Sequence, residues 1–351
     1  MKILIIQQKM IGDVLTSSIL FEVLKNNNKE VELHYLINSH TSDIINNNPF
    51  IDEVIYFTPE VEKSYWKFIA FIKQIRSKKY DVIIDVYGKL SSNLITLFSG
   101  ASIKISYYKK LSSFIYSHPI KRLKKPQNKA SLAIENRLRL LDPLNILINY
   151  SSPKIYLQQP EIDLAKELLI KFSIDLSKPL YMISVLGSNS KKTYPSDYMA
   201  KLLDSIVSEK PDSQLLFNYI PSQFNDAKKI YDLCTKTTQG HIFFDLYGKS
   251  LLEFLALTHH CDALIGNEGG AINMAKALQV PAFIIFSPHL NKANWFGELE
   301  NDNHVAVHLS DYINHQEKDR DKAKDKPSEY YLKFKPTFIE PKLIDFLRNL
   351  R

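Results

Sequence analysis

Short runs rich in branched aliphatic residues alternate with stretches of helical period along almost the whole chain. That rhythm predicts parallel sheets with helical crossovers. In the first half the pattern predicts strands over Lys2 to Gln7, Val31 to Leu36, Glu53 to Phe57 and Asp81 to Asp85. Helices are expected over Val14 to Leu24, Ser64 to Arg76 and Leu90 to Phe98. The second half restarts with a buried strand at Leu180 to Leu186 and a helix from about Ser196 to Val207. Further strands are expected at Gln214 to Tyr219, Ile242 to Phe244, Ala263 to Ile265 and Ala282 to Phe286. Ser250 followed by Glu253 reads as a capping box, opening a helix that runs to about His259.

Between the halves, Pro153, Pro160 and Pro179 surround one amphipathic helix. The expected organisation is a first domain over 1–160, a linker over 161–178, a second domain over 179–335 and a closing helix over 336–351. The fold class is α/β: two doubly wound, Rossmann-like parallel-sheet domains facing a central cleft, with ligands beyond the strand carboxyl ends. The closing helix is expected to begin near Glu340-Pro341 and bury Leu343, Ile344 and Leu347, with the first domain as the candidate surface for it to pack back on. His315 to Lys326, charged with alternating sign, reads as a solvated loop or exposed helix.

Length and composition fit this picture. At ~150 residues per domain, 351 residues make about two domains, and 45% apolar content is that of ordinary globular chains. No apolar run approaches the ~18 residues of a membrane span. The opening stretch is too short in apolar residues for a signal peptide and reads as a first strand. Two cysteines, Cys234 and Cys261, make no disulfide framework, so a reduced, cytoplasmic protein is expected. His259-His260-Cys261 is read as a helix terminus ahead of a metal site, because adjacent helical residues point to different sides.

Three loops carry candidate chemistry. After the first strand, Gly12-Asp13 leads into a helix. Gly12 suits a tight turn of positive φ or close approach of a ligand, and Asp13 is either a helix cap or a general base at the carboxyl end of the strand. There is no Gly-x-Gly-x-x-Gly and no Walker pattern there. Residues 187–195, Gly-Ser-Asn-Ser-Lys-Lys-Thr-Tyr-Pro, place hydroxyls and two cations before a helix. Such lysines serve a diphosphate as point charges, or are plain solvated loop charges. At 263–275 a buried strand ends in Asn267-Glu268-Gly269-Gly270 and opens another helix. Amides at that terminus suit a phosphate and Glu268 suits sugar hydroxyls; the alternative is a plain strand-to-helix turn.

Taken together, these loops resemble glycosyltransferase family 9, the heptosyltransferases of lipopolysaccharide core assembly. Gly12-Asp13 matches the family's first Gly-Asp pair. Lys192-Thr193-Tyr194-Pro195 matches its Lys-x-Trp-Pro, and Glu268-Gly269-Gly270-Ala271-Ile272-Asn273 matches its Asp-Ser-Gly-Pro-x-His. Val280 to Pro288 is similar to its Val-Pro strand ending in Phe-Gly-Pro. The resemblance implies a GT-B fold, an N-terminal acceptor domain and a C-terminal nucleotide-sugar donor domain. It implies inverting transfer without a metal or other cofactor. By position, Asp13 would be the base. Lys192, with Ser188 nearby, would neutralise the leaving diphosphate. Glu268, Gly269, Gly270 and Asn273 would hold the donor, for which ADP-heptose is the family type. The departures, Glu268 for Asp, Gly269 for a hydroxyl residue and Asn273 for His, all fall in the donor motif.

The charge is local. Lysine and arginine number 45 against 38 acidic residues, a net +7. Between Asp85 and Glu135 there are nine cations and no acid, so that stretch holds +9 and the remainder −2. Lys109, Lys110, Lys121, Arg122, Lys124 and Lys125 lie there, interleaved with Tyr107, Tyr108, Phe114 and Tyr116. With Gly12 they are the expected acceptor-facing or membrane-facing set, suited to an anionic glycolipid or oligosaccharide and to peripheral contact with anionic head groups at the inner face of the bacterial cytoplasmic membrane. No nucleic-acid fold signature accompanies the charge, and no nucleic-acid partner is expected. Two competing functions are a GT-B nucleotide-sugar epimerase and a non-catalytic nucleotide-sugar or glycolipid binding protein, the latter motivated by the altered donor motif.

Overall fold

The computed structural model describes residues 1–300 and 303–350. They form two compact units, Met1–Tyr156 and Leu157–Arg351. The helix between the halves therefore belongs to the second unit.

The first unit contains strands β1 (Lys2–Ile6), β2 (Glu32–Asn38), β3 (Glu53–Phe57), β4 (Val82–Asp85), β5 (Ile103–Tyr107) and β6 (His118–Ile120). Its helices are α1 (Ile11–Ser17), α2 (Ile19–Asn27), α3 (Pro59–Lys63), α4 (Tyr65–Ser77), α5 (Leu90–Phe98) and α6 (Leu132–Leu138). The sheet order is β3-β2-β1-β4-β5-β6, and the strands pair in parallel throughout. β1 faces β2 on one side (Ile6↔Leu36) and β4 on the other (Ile6↔Asp85), so the strand order reverses there. Its Ile3 to Ile6 are fully buried, as expected of a strand covered on both faces.

The single helix expected over Val14 to Leu24 is two. Thr16, Ser17 and Ser18 hydroxyls donate to the carbonyls of Gly12, Asp13 and Leu15, and the ladder bends at Ser18. β5 and β6 were not expected; they form one edge of the sheet, where burial is less complete and the apolar run correspondingly weaker.

The second unit contains β7 (Leu180–Ser184), β8 (Gln214–Phe217), β9 (Ala263–Asn267), β10 (Ala282–Ile285) and β11 (His304–Val307). Its helices are α7 (Gln159–Lys171), α8 (Ser196–Glu209), α9 (Phe224–Leu233), α10 (Lys236–Gln239), α11 (Leu251–His259), α12 (Gly270–Ala277), α13 (Glu317–Asp325), α14 (Pro327–Lys333) and α15 (Pro336–Asn349). The order β11-β10-β9-β7-β8 is again parallel and reverses between β7 and β9. Ser250 caps α11, its Oγ accepting from Glu253 N–H at 3.1 Å.

The segment at 242–244 and the closing helix depart from expectation, while the charged segment and the His259-His260-Cys261 helix terminus agree with it. Ile242 to Phe244 makes only an isolated bridge to Leu215. The closing helix starts at Pro336 and keeps Pro341 inside it. It packs in the second unit, where Leu343, Phe346 and Leu347 join the core beside α8 and Phe346 meets Phe283 at 5.6 Å. The charged 315–326 segment forms α13, anchored by the buried Ala323. His260 is structural: its Nε2 lies 2.9 Å from the Ile162 carbonyl oxygen. Both cysteines are buried, and burial pushes the Cys234 thiol up to about 12.

Candidate functional site

In the second unit the chemistry gathers at the carboxyl ends of β7 and β9. In a sheet of this order that reversal is where a ligand is received. The loop after β7 carries Lys192, and β9 runs through Asn267 into Glu268 and α12. Their approach depends on absent side chains. A Cβ at Gly266, where φ is +134°, would lie 2.4 Å from the Ser184 carbonyl oxygen, and one at Gly187 would lie 2.3 Å from that of Lys192. Either glycine replaced would force the strands or the loop apart.

Asn267, missed by sequence reasoning, fastens the two. Its Oδ1 accepts from Tyr194 N–H at 2.7 Å, while Nδ2 donates to the carbonyls of Ser184 at 2.9 Å and Val185 at 3.0 Å. This fully used amide fixes the Lys192 loop beside Glu268. Lys192 Nζ lies 3.3 Å from Glu268 Oε2, with Glu268 buried and the lysine half-buried. Gly269 and Gly270 open α12, and a Cβ at Gly269 would meet nothing within 4 Å. Among the described residues neither the Gly269 nor the Gly270 N–H donates a hydrogen bond, so the start of α12 offers free amides beside a cation, an arrangement suited to an anion. Asn273 sits in the first turns of α12, half-buried. Ser188 is exposed on the loop.

A further group joins this set. Ser287, at the carboxyl end of β10, donates to the Lys191 carbonyl at 2.8 Å, and His289 Nδ1 lies 2.8 Å from the same Oγ. Burial first, then the Lys192 and Lys191 charges, hold the His289 imidazole below the ordinary histidine range. Tyr194 is fully buried behind the loop, its hydroxyl donating to the Phe334 carbonyl at 2.6 Å.

In the first unit, Asp13 follows β1 at the other reversal point. The turn is made at Met10, not at Gly12: Met10 takes a left-handed φ of 69°, and its carbonyl accepts from Asp13 and Val14 N–H. Gly12 lies inside α1. Asp13 is no helix cap; its Oδ1 accepts from Arg137 Nη2 at 2.7 Å. Arg137 is buried on α6 and also donates to Ser17 Oγ at 2.9 Å and the Ala133 carbonyl at 3.0 Å. Sequence reasoning missed it, although a charged pair, Glu135 and Arg137, inside an apolar run was a visible signal. Among the described residues Asp13 Oδ2 has no hydrogen-bond partner.

The basic set divides. Lys109 Nζ donates to the Gly88 carbonyl, and burial lowers its pKa, with Lys89 and Arg122 adding to the effect. Arg122 stacks 3.8 Å above the Tyr107 ring. Lys110, Lys121, Lys124 and Lys125 are exposed. Among the described residues no group of three or more His, Cys, Asp or Glu is placed to hold a metal ion, and no helix is long and apolar enough to cross a membrane.

Two parallel-sheet units, each with polar groups at its strand reversal, define a two-domain, doubly wound α/β protein. The model of glycosyltransferase family 9 (heptosyltransferase) matches residues 68–325, and the chain belongs to that family; it is a glycosyltransferase of heptosyltransferase type. It is similar to lipopolysaccharide heptosyltransferase 1 of Campylobacter coli, 24% identical over 84% of this chain and 86% of that one. It is 22% identical to lipopolysaccharide heptosyltransferase 3 of Escherichia coli, over 78% of this chain and 79% of the relative. A glycosyl transferase family 9 structure from Veillonella parvula superposes with a TM-score of 0.73 at 15% identity, covering 94% of this chain and 97% of its own. The E. coli ADP-heptose lps heptosyltransferase II gives 0.70 at 15% identity, over 95% and 99%. The fold is GT-B.

Proposed function

We propose that this chain is an inverting, metal-independent transferase moving heptose, or a closely related sugar, from a nucleotide-sugar such as ADP-heptose to a lipopolysaccharide core or other surface glycolipid. It would work in the cytoplasm, at the inner face of the cytoplasmic membrane. The carrying observation is the Lys192–Glu268 pair beside the open amides of Gly269 and Gly270 at the β7/β9 reversal. The names of the relatives, which include lipopolysaccharide heptosyltransferases, support the sugar and acceptor class.

In the proposed step the acceptor oxygen attacks the anomeric carbon on the face opposite the leaving group. The bond from that carbon to the diphosphate oxygen breaks, its electron pair stays on the diphosphate, and the hydroxyl proton passes to Asp13. Lys192 and the α12 amides stabilise the charge growing on the diphosphate, the role a metal fills elsewhere. Glu268 receives hydroxyls of the donor, and Ser188 and Asn273 flank it. The exposed lysines of 110–125, with Lys109 and Arg122, face the anionic acceptor.

The test is release of ADP from ADP-heptose in the presence of a lipopolysaccharide-core acceptor, with and without EDTA. Asp13→Ala should abolish turnover and keep ADP binding, and EDTA should change neither. Turnover surviving Asp13→Ala refutes the base. Sugar isomerisation without acceptor would mark an epimerase, and no nucleoside diphosphate release with any donor would mark a binding protein.

A further inference from the structure

All six strands of the first sheet run the same way, so the segments leaving their carboxyl ends emerge along one edge. That edge is unusually apolar. Trp66, opening α4 after β3, is 77% exposed; Leu90, opening α5 after β4, 74%; and Leu111 and Phe114, after β5, 90% and 79%. The bond from Lys109 to the Gly88 carbonyl draws the loop after β5 onto the loop after β4, bringing the Leu111 segment toward Leu90. The loops after β4, β5 and β6 are rich in cations, whereas the segment after β3 carries Glu60 and Glu62, the latter paired with Lys9. Among the described residues, none of the nine cations between Asp85 and Glu135 forms an ion pair. Elsewhere in this unit Lys2, Lys9, Lys25, Lys78 and Lys154 do, with Glu32, Glu62, Asp52, Glu53 and Glu22, while Lys29, Lys63, Lys67, Lys73 and Lys79 form none among the described residues.

From this juxtaposition we infer that the carboxyl edge of the first sheet docks on an anionic phospholipid bilayer, with Leu111 and Phe114 entering the boundary between head groups and acyl chains. The inference deepens the proposed function by naming the surface from which a lipid-linked acceptor is taken. Unpaired lysines beside fully exposed aliphatic and aromatic side chains are what such a boundary rewards, since head groups answer the charge and acyl carbons cover the apolar groups. A soluble anion would leave Leu111 and Phe114 in water. A nucleic acid would stack on Phe114 but has no use for an aliphatic side chain at 90% exposure, and eight of the nine cations are lysine, which lacks the stacking plane of arginine.

The full chain is sedimented with vesicles of phosphatidylcholine alone and with a quarter phosphatidylglycerol. Binding should require the anionic lipid and weaken in high salt. Each cation removed near the surface should cost about fivefold in partition, so Lys124→Ser with Lys125→Ser should weaken it more than tenfold. Leu111→Ser with Phe114→Ser should weaken it by about tenfold or more, while the melting temperature and ADP binding stay as in the unaltered protein. That apolar variant should also keep turnover on a deacylated, soluble acceptor and lose it on acceptor embedded in vesicles. Equal recovery on both vesicle types, or wild-type sedimentation of Leu111→Ser/Phe114→Ser, overturns the inference. So does displacement from vesicles by single-stranded RNA, which would make the edge a nucleic-acid surface. Vesicle binding as expected, with no sugar transfer from any donor, upholds the docking edge and refutes the proposed function.

Discussion

Arg137 Nη2 and Asp13 Oδ1 lie 2.7 Å apart, joining a buried guanidinium on α6 to the carboxylate at the start of α1 across 124 positions of sequence. The arginine's remaining bonds, to Ser17 and Ala133, leave it no freedom to swing, so it fixes which way the carboxylate points. Arg137→Met should lower kcat by about tenfold to a hundredfold with a smaller change in KM, as misaimed groups do. In an Asp13→Ala background the same change should do almost nothing, because the two residues act as one unit. Steady-state kinetics on the four proteins of this cycle check it. Additive losses would mean that Arg137 acts elsewhere.

The Lys192 loop offers a second test. Lys192→Ala removes the cation paired with Glu268, and on the proposed function the thermal stabilisation by ADP should shrink by several degrees at fixed ligand concentration. Differential scanning fluorimetry with and without ADP measures it. An unchanged ADP shift would show that the lysine does not meet the diphosphate.

Glycine positions separate packing from function. Gly266→Ala places a methyl group 2.4 Å from a backbone oxygen at a φ of +134° and should destabilise the protein by on the order of 2 kcal/mol or more. Gly269→Ser puts a hydroxyl into open space on extended backbone (φ 165°) and should leave the melting temperature within a degree or two. Chemical denaturation distinguishes them. Because serine restores the hydroxyl of the family pattern, tighter donor binding by Gly269→Ser would identify the gap as part of the donor site.

Acid should weaken the second unit in a definite window. Burial first, then Lys276, holds His304 at about 4, and burial with His315 and Lys292 holds His308 at about 4 despite Asp311. Among the described residues His304 Nδ1 and His308 Nε2 are buried with no hydrogen-bond partner. Both folded values lie below the ordinary 6.5, so between about pH 6.5 and 4 the unfolded chain binds more protons. Stability is therefore complete above that window and falls as pH drops through it. Melting temperatures from pH 7.5 to 4.5 should show the decline, and His304→Asn should make it shallower.

How much could be read without coordinates depended on whether the signal was local. The buried strands β1, β4, β7 and β10 were plain because both faces are covered and the apolar runs are continuous. β5 and the edge strands β6 and β11 were missed because incompletely buried strands of three to five residues carry little pattern. Asp13, Lys192 and Glu268 could be picked out by their place after strands. The roles of Arg137 and Asn267 were not legible, since their partners lie 124 and 73 positions away, although Arg137 stands out as a charge inside an apolar run. The start of the last helix was misplaced because Pro341 was read as a first-turn proline, whereas Pro336 already fills that position.

The tether from Tyr194 to Phe334 has a consequence for how the molecule is made. The loop bearing Lys192 rests on α14, α15 and the Phe334 turn between them, where Tyr331, Phe334 and Leu347 complete the core beneath it. A ribosome delivers those residues on the order of ten seconds or more after the first unit has emerged. The first unit is therefore made while the nascent chain still lacks the residues that seat the Lys192 loop. On the proposed function, competence for donor is acquired last, and a chain released before residue 334 would never gain it.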